Sequence, residues 1–211
     1  MASANPDVQH FLGIPWCATL LGEPGTVCNT APSRFPKPST EDQLFSTTLR
    51  TDETVAAFAM FYKRPSSSSS SAAAAAMIKT APTVAADDDG GDLIRELKAL
   101  LTLGAGVNGH PNVSHGGIVA TVLDETVGSI FLINKNEGLM PPDPENLRGF
   151  MTAYLNVTYL RPVETPQTVL CVAEVVRIKG RKWWIRGRIE DREGRVLAKA
   201  ESLFVSLKEK L

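Results

Sequence analysis

The segment that constrains the fold most is 117–133, which reads GIVATVLDETVGSIFLI. Nearly every face of a helix formed by this segment would be apolar, so the helix would be buried on most of its sides. A membrane span is the alternative, but it would place Asp124 and Glu125 in the middle of the bilayer, at a cost of roughly 2.5–3.5 kcal/mol for each charge. The segment therefore predicts a long helix in the core of a globular domain and no membrane span.

The acidic pair in the middle of this helix requires an explanation. Aspartate is a poor former of helix interiors and is seldom buried without a partner. One interpretation is that Asp124 or Glu125 faces solvent or pairs with an arginine. The other is that the carboxylate is catalytic, because an isolated buried carboxylate is costly and an active site makes use of its raised basicity.

The residues that precede the helix, Ser114-His115-Gly116-Gly117, favour the catalytic interpretation. The first N–H groups of a helix lack partners within it, and the helix dipole is positive there. Two glycines allow another group to approach this backbone closely. Such a turn suits a carbonyl oxygen that becomes negative during acyl transfer. The same residues also suit a simple Ser114 cap with glycines that only pack, and both interpretations fit the local sequence.

Spacing along the helix adds a constraint on any shared site. Asp124 follows His115 by nine residues, so the two are about 13.5 Å apart at 1.5 Å per residue. One small carbonyl group cannot contact both within a single subunit. If both act on one acyl group, Asp124 comes from one protomer and the turn comes from another across a two-fold axis, which predicts an obligate oligomer.

Downstream of the helix the pattern changes to alternation of apolar and charged residues. Lys179-Gly180 and Glu193-Gly194 mark tight turns between the alternating runs. Four runs are predicted to be consecutive antiparallel-type strands: 150–161, 168–178, 182–190 and 195–205. A sheet wrapped on one central helix belongs to the α+β class.

The N-terminal part of the chain is predicted to be irregular and helical. Five prolines within 14–38 indicate irregular chain that wraps the surface. A helix is expected from Thr40, because Thr40 and Gln43 match a capping box. A second helical stretch is expected from Thr51, with apolar side chains at helical spacing, and Pro65 ends it.

Three segments follow from these patterns: an extension at 1–64, a linker or long surface loop at 65–92, and a compact domain at 93–211. The linker has a run of serines and then alanines, which indicates flexibility; the alternative is that the alanines extend a helix. The first 92 residues carry 6 basic and 10 acidic side chains (net −4), and the remainder carry 16 and 13 (net +3). The total of −1 gives no electrostatic argument for nucleic acid or an anionic membrane.

Two motifs carry a resemblance that covers about residues 93–211. The first is His115-Gly-Gly with Asp124-Glu nine residues on, and the second is the stretch Leu155–Pro162, LNVTYLRP. Together they resemble the hotdog-fold thioesterase superfamily, and within it the phenylacetate-pathway branch and its eukaryotic acyl-CoA thioesterase relatives. The resemblance implies a curved antiparallel β-sheet wrapped around the long central helix, with an N-terminal helical extension. It also implies a homodimer or a dimer of dimers.

The resemblance implies roles for individual residues. Asp124 matches the catalytic carboxylate, as a general base on water or as a nucleophile. Gly117 would donate its backbone N–H to the thioester oxygen, His115 would orient or polarise that carbonyl, and Gly116 lies in the same substrate-binding turn. Thr152 falls where relatives carry a Ser or Thr that positions the water. The implied substrate is an acyl-CoA or an acyl group on a carrier protein, so coenzyme A enters as part of the substrate and no cofactor is expected.

One position departs from the family pattern. Some relatives carry an Asn six residues before the His, where it helps to bind the carbonyl, but this chain has Gly109. Asn108, His110 and Asn112 surround that position, and any of them could take over its role after a small shift of the loop.

A basic segment near the C-terminus is a second candidate for substrate binding. Between Arg177 and Arg195 there are eight Lys or Arg residues against three acids. One interpretation is a solvated strand face and hairpin tip. The other is that Arg181 and Lys182, at the turn, contact the CoA phosphates. The two tryptophans that follow resemble a nucleic-acid-binding pattern, but one of them belongs to the core face of the sheet, so no nucleic-acid partner is expected.

The remaining features concern metals and location. His10 and His110 belong to no cluster with metal-ligand spacing, so no metal is expected. The three cysteines lie far apart, which fits a reducing compartment. No basic residue precedes Arg34, so a secretory signal is not expected. A cytoplasmic location is expected, with the mitochondrion as the alternative.

Three functions are compatible with these features. The leading hypothesis is a hydrolase of acyl thioesters in lipid metabolism. The second is a pathway-specific tailoring thioesterase or acyl-transfer partner that acts on carrier-bound chains. The third is a non-catalytic acyl-binding protein, because a fold alone does not define an activity.

Overall fold

The structure, a computed structural model, describes residues 5–65, 92–140 and 149–207. Within these ranges the chain forms three α-helices: α1 (Pro6–Leu12), α2 (Pro15–Leu21) and α3 (Gly116–Asn136). It also forms nine strands: β1 (Thr26–Thr30), β2 (Val55–Lys63), β3 (Glu96–Leu103), β4 (Asn108–His110), β5 (Val113–Ser114), β6 (Phe150–Tyr159), β7 (Gln167–Lys179), β8 (Lys182–Glu190) and β9 (Val196–Ser206).

Seven of the strands form one antiparallel sheet in the order β1-β2-β3-β7-β8-β9-β6. β4 and β5 form a separate two-stranded ladder just before α3. The helix α3 packs against one face of the large sheet, and the main hydrophobic core lies between them. The four strands predicted after the helix are present as β6, β7, β8 and β9. The predicted α+β hotdog architecture, an antiparallel sheet around one long helix, is confirmed.

The apolar segment of the sequence forms the 21-residue helix α3. Val122, Val127 and Ile130 are fully buried. Gly187 of β8 allows the strand and the helix to approach closely, because a Cβ there would lie 3.0 Å from Val127 Cγ1. Of the helices in the described ranges, α3 is the one with the length and hydropathy of a membrane span. Its apolar surface is instead used inside the domain, as in the core helix of a globular protein.

The helical stretch predicted from Thr51 is wrong, because Val55–Lys63 form the strand β2. β2 pairs with β1 on one side and with β3 on the other. Both of its faces are buried: Phe58 belongs to the core around α3, whereas Phe61 clusters with residues of α1 and α2. A strand buried on both faces shows no alternation of apolar and polar residues, so its periodicity did not separate it from a buried helix.

Two other expectations for the extension are wrong. The helix predicted from Thr40 is reduced to a single π-helical turn at Leu44–Thr48, with no side-chain cap at its start. The chain at 14–38, expected to be irregular, contains α2 and β1. Both α1 and α2 begin with a proline. Proline suits the first position of a helix because the N–H that it lacks would have no partner there.

The extension is integrated into the same fold. α1 and α2 cover a second face of the sheet, where Phe11 and Cys17 cluster with Leu100 and Val172. β1 and β2 supply two of the seven strands. Most of the predicted linker, residues 66–91, lies outside the described residues.

A buried ion pair fixes α1 to the rest of the extension. Arg34 is 2% exposed, and its Nη2 lies 3.4 Å from Asp7 Oδ1. Arg34 Nη1 donates to the Val55 carbonyl at 2.9 Å, and Asp7 Oδ1 accepts from the Phe58 N–H at 3.3 Å. Burial lowers the pKa of Arg34, and the negative charge of Asp7 opposes that shift. The two charges therefore depend on each other, because a buried charge without a partner is strongly unfavourable.

Candidate active site

His115 caps the N-terminus of α3. Its Nδ1 accepts a hydrogen bond from the Gly117 N–H at 2.9 Å. The cap is therefore His115 and not Ser114, whose buried hydroxyl has no hydrogen-bond partner among the described residues. A nitrogen that accepts a hydrogen bond carries no proton, so the neutral ring bears its proton on Nε2. Because His115 is exposed, this Nε2–H is the donor that the turn offers to a ligand.

The Gly117 N–H has a partner that the sequence did not predict. The family pattern implies that this N–H binds the thioester oxygen, but it bonds to the ring of His115, the other residue implied to bind that oxygen. The structure thus brings the two groups together and bonds them to each other. Their spacing is a signal that could have been used, because the side chain of an N-cap residue accepts from the N–H two or three residues on.

Tyr159 holds the next peptide group of the turn. Its hydroxyl donates to the Gly116 carbonyl at 2.9 Å. Its ring lies against Gly116, where a Cβ would be 3.5 Å from ring atoms. Tyr159 is on β6, 43 residues further along the chain, and a contact over that separation leaves no local sequence signal. Sequence reasoning therefore assigned it no role beyond its place in the family motif.

Thr152 and Asp124 are joined where β6 contacts α3. The Thr152 hydroxyl donates to Asp124 Oδ1 at 3.1 Å. Asp124 is half-buried and Thr152 is exposed, so solvent reaches the pair. Among the described residues, Thr152 is the one side chain that bonds to the Asp124 carboxylate. No described arginine forms an ion pair with Asp124. The structure therefore brings these two predicted residues together and leaves the other carboxylate oxygen, Oδ2, available.

Glu125, the neighbour of Asp124, contacts the extension. Burial raises the pKa of its carboxyl, with added effects of the Asp42 and Asp124 charges, while the nearby Ser33 hydroxyl and the charge of Lys37 oppose the rise. Residues 33–42 of the extension therefore lie beside α3, one residue along the helix from the predicted catalytic carboxylate.

The loop before the turn has no room for a side chain at Gly109, the position where some relatives carry an Asn. A Cβ at Gly109 would lie 2.7 Å from His115 Cδ2, so a larger residue does not fit while the ring keeps this position. Asn108 accepts a hydrogen bond from the Thr165 hydroxyl. The Asn112 carbonyl accepts from the Thr165 N–H at 3.0 Å. Both asparagines therefore tie the loop to the segment between β6 and β7, and neither has a described hydrogen bond to His115.

Arg181 and Lys182 lie at a cavity of about 440 Å³ at the hairpin between β7 and β8. Its described lining consists of Arg177, Lys179, Arg181, Lys182, Trp184 and Val205, which includes four cations and no acid. Arg181 Nη1 donates to the Ser206 carbonyl at 2.9 Å, and the Arg177 guanidinium lies 5.1 Å from the centre of the Trp184 ring. Trp183 is buried in the core, as the sequence predicted for one tryptophan of the pair.

The thiols are poorly placed to act as nucleophiles. All three cysteines are free. Burial raises the pKa of Cys17 to about 12 and that of Cys28 to about 11, and it raises the pKa of Cys171 to about 12. A thiol with such a pKa is protonated at neutral pH and therefore unreactive. Within the described ranges no group of three His, Cys, Asp or Glu side chains could hold a metal ion.

The strand β6 forms an edge of the sheet. Four large apolar or aromatic side chains on or just after it are 40–54% exposed: Met151, Tyr154, Tyr159 and Leu160. An edge strand offers unpaired backbone groups to another chain, and exposed apolar residues beside it mark an interaction surface. Thr152 and Tyr159, which bond to Asp124 and to Gly116, are both on this strand.

The sequence of this chain is similar to a family model and to several known proteins. Residues 112–198, which include the His115 turn, α3 and β6 to β8, match the family model described as the thioesterase superfamily. Verlamelin biosynthesis protein B of Lecanicillium is 31% identical over 121 residues, which are 49% of this chain and 52% of that protein. Mouse acyl-coenzyme A thioesterase THEM4 is 30% identical over 105 residues, 49% of this chain and 40% of that protein. The chain thus spans about half the length of the curated relatives that it matches.

A solved structure from Bacillus halodurans, determined with CoA, is 27% identical and covers 52% of this chain and 66% of its own, with a TM-score of 0.43. The family match, by contrast, lies on the residues that build the site. It contains the N-cap His115, the carboxylate Asp124 on α3 and their two β6 partners, Thr152 and Tyr159. The resemblance to the hotdog-fold thioesterase superfamily therefore extends to the residues that build this site.

Proposed function

We propose that the protein hydrolyses acyl-CoA thioesters to a free acid and coenzyme A. The observation that carries this proposal is the hydrogen bond from Thr152 to Asp124, a half-buried carboxylate of α3. Asp124 Oδ2 takes a proton from water, and the resulting hydroxide attacks the carbonyl carbon. The C–S bond then breaks, and the sulfur leaves as a thiolate that receives the proton from Asp124.

Thr152 orients the base in this mechanism. Its hydroxyl occupies Oδ1 of Asp124, so that the attacking water contacts the second oxygen. The hydroxyl oxygen of Thr152 still has acceptor capacity, and it can hold the same water from another side. This arrangement gives the carboxylate one orientation instead of several, which is how a positioned base contributes to rate.

The carbonyl oxygen of the substrate is bound at the His115 turn. The Nε2–H of His115 donates to it, and the Gly117 N–H supports the ring through Nδ1. Rotation of the ring away from Gly117 would release that N–H as a second donor. Donors aimed at an oxygen that becomes negative stabilise the transition state, and the positive end of the α3 dipole adds to that effect.

The two halves of the site come from two protomers. The helix from Gly116 to Asn136 is continuous, so the separation of about 13.5 Å between His115 and Asp124 in one chain follows from helical rise. Pairing of two β6 edges across a two-fold axis would bury the exposed side chains of that strand and bring Asp124 of one protomer towards the partner's His115 turn. The minimal working unit in this proposal is a homodimer.

The cationic cavity at the β7–β8 hairpin would bind the phosphates of CoA. Trp183 pairs with Phe204, and Phe204 pairs with Thr152. Two spacings between strands, about 10 Å, therefore separate Thr152 from the strand that carries Lys182. Cations of this kind form strong charge-assisted hydrogen bonds with phosphate. We include Arg181 and Lys182 in the substrate site on this basis.

A second candidate is a tailoring thioesterase that acts on carrier-bound acyl chains. The similarity to a protein named for verlamelin biosynthesis favours it. The experiment that separates the candidates is thiol release by the purified chain from a panel of acyl-CoAs and of acyl groups on a carrier protein. Turnover of acyl-CoA supports the proposal, turnover of carrier substrates alone supports the tailoring role, and binding without turnover supports an acyl-binding protein.

The matched control for that assay is Asp124→Ala. Loss of the general base is expected to lower kcat roughly 10²- to 10⁴-fold, while the far-ultraviolet circular dichroism spectrum stays unchanged. An Asp124→Ala protein that turns over acyl-CoA at the wild-type rate would exclude this mechanism.

A further inference from the structure

We propose that Tyr159 is a positioning residue for the carbonyl-binding turn: its hydroxyl orients the Gly116–Gly117 peptide and thereby sets the proton of the His115 ring on Nε2. The kinetic part of this inference rests on the proposed function, whereas the part that concerns the ring does not.

The geometry forms a continuous chain of hydrogen bonds. The Tyr159 hydroxyl donates to the Gly116 carbonyl at 2.9 Å, and the Gly117 N–H donates to His115 Nδ1 at 2.9 Å. The Gly116 carbonyl and the Gly117 N–H belong to a single peptide unit, which is planar. A donor fixed on the carbonyl side therefore fixes the direction in which the N–H points on the other side.

Polarisation acts along the same chain. A hydrogen bond to a peptide carbonyl draws electron density towards the oxygen and makes the N–H of that peptide a stronger donor. A stronger donor at Nδ1 holds the lone pair of that nitrogen and favours the ring form with the proton on Nε2. The Nε2–H is the group that faces a substrate carbonyl in the proposed mechanism, so the hydroxyl of Tyr159 acts on the substrate through the peptide and the ring.

Tyr159 acts on the first peptide unit of α3, which joins two glycines. The backbone before the glycines is already held, because the Ser114 N–H donates to Val163 and the His115 N–H donates to Val107, each at 2.8 Å. The next two residues are both glycine, the residue with the greatest backbone freedom. Within the described ranges, Tyr159 of β6 is the side chain outside the turn that bonds to the Gly116–Gly117 peptide.

The contact also links the turn to the edge strand. Tyr159 is 54% exposed, so its hydroxyl contributes little to burial, and its removal is expected to have little effect on the stability of the fold. Its position on β6 means that an interface formed by this strand would cover the ring and exclude water from the hydroxyl. A hydrogen bond with less competition from water is stronger, so dimer formation would reinforce the orientation of the turn.

The test compares Tyr159→Phe with Tyr62→Phe in the full chain. Tyr62 is the matched control, because its hydroxyl bonds to Glu137 at 2.7 Å at the opposite end of α3. Nitrogen-15 chemical shifts of the His115 ring, measured without substrate, report the ring form. We expect the Nε2–H form in the wild type and in Tyr62→Phe, and a mixture of both neutral forms in Tyr159→Phe.

Steady-state kinetics provide the second readout. Tyr159→Phe is expected to lower kcat about ten-fold and to change KM less than about two-fold, as for loss of one hydrogen bond that acts in the transition state. Unchanged ring shifts in Tyr159→Phe would overturn the inference, whether or not kcat falls. Equal changes in both variants would also overturn it, because they would show a general effect on α3. If the wild type hydrolyses no thioester, the proposed function fails, and the ring shifts alone still decide the role of Tyr159.

Discussion

The hydroxyl of Thr152 lies 3.1 Å from Oδ1 of Asp124 and donates a hydrogen bond to it. Thr152 is on β6 and Asp124 is on α3. A residue of an edge strand therefore orients the carboxylate of the core helix. In the proposed function, the reactivity of the carboxylate would therefore depend on a residue of the exposed edge strand β6.

Replacement of Thr152 tests this dependence. Thr152→Val keeps the shape and the strand preference of the side chain but removes the donor, so kcat is expected to fall roughly 10- to 100-fold, the range for a hydrogen bond to a charged group. Thr152→Ser keeps the hydroxyl and should retain most of the activity. Thr158→Val on the same strand is the control, because no described residue bonds to the Thr158 hydroxyl. Wild-type kcat in Thr152→Val would contradict the assignment.

Gly109 is expected to tolerate no side chain while His115 keeps its position. A Cβ in Gly109→Ala would lie 2.7 Å from His115 Cδ2, so the ring must move and kcat is expected to fall about ten-fold or more. Gly128→Ala serves as the control, because its Cβ would have ordinary contacts of 3.6 Å with Phe204. Kinetic assays on both variants, with melting temperatures, check this. Equal kcat in Gly109→Ala and wild type would show that the ring position has no importance.

The raised pKa of Glu125 predicts a pH dependence of stability. The pKa of its carboxyl is above the ordinary 4.5 in the folded chain, so above pH 4.5 the unfolded chain loses this proton before the folded chain does. The free energy of unfolding therefore falls as pH rises through that interval. Glu125→Gln removes the titration, and its advantage over the wild type should be absent below pH 4.5 and grow as pH rises above that value.

Urea denaturation at a series of pH values measures the Glu125 effect. Glu201→Gln, on an exposed position of β9, controls for the loss of one negative charge. A difference between Glu125→Gln and wild type that stays constant from pH 4 to pH 8 would contradict a raised pKa of the Glu125 carboxyl.

The buried pair of Asp7 and Arg34 predicts that the extension contributes to stability. Asp7→Ala leaves the 2% exposed Arg34 without its counter-charge and is expected to lower the free energy of unfolding by roughly 3 kcal/mol. Glu23→Ala, which breaks an exposed pair with Lys63, should have little effect. Thermal and urea unfolding check both. If the two variants were equally stable, α1 would be a dispensable attachment.

The sequence was sufficient for those parts of the fold whose pattern is local. The apolar run around Asp124 identified α3, and alternation identified β8 and β9. The strand β2 was mistaken for a helix because both of its faces are buried, one by α3 and the other by α1 and α2. The family motif predicted His115 and Asp124 as site residues. The bonds from Tyr159 to Gly116 and from Thr152 to Asp124 join residues 43 and 28 positions apart, and only the path of β6 across α3 reveals them.

The central claim is that each site combines Asp124 of one protomer with the His115 turn of its partner. The most direct measurement is the activity of a purified mixed dimer of one Asp124→Ala chain and one His115→Ser chain, in which Ser keeps an N-cap acceptor. Each homodimer should be inactive, whereas the mixed dimer holds one intact site of two and should have about half of the wild-type activity. A mixed dimer as inactive as the homodimers would show that both groups act within one chain and would contradict the claim.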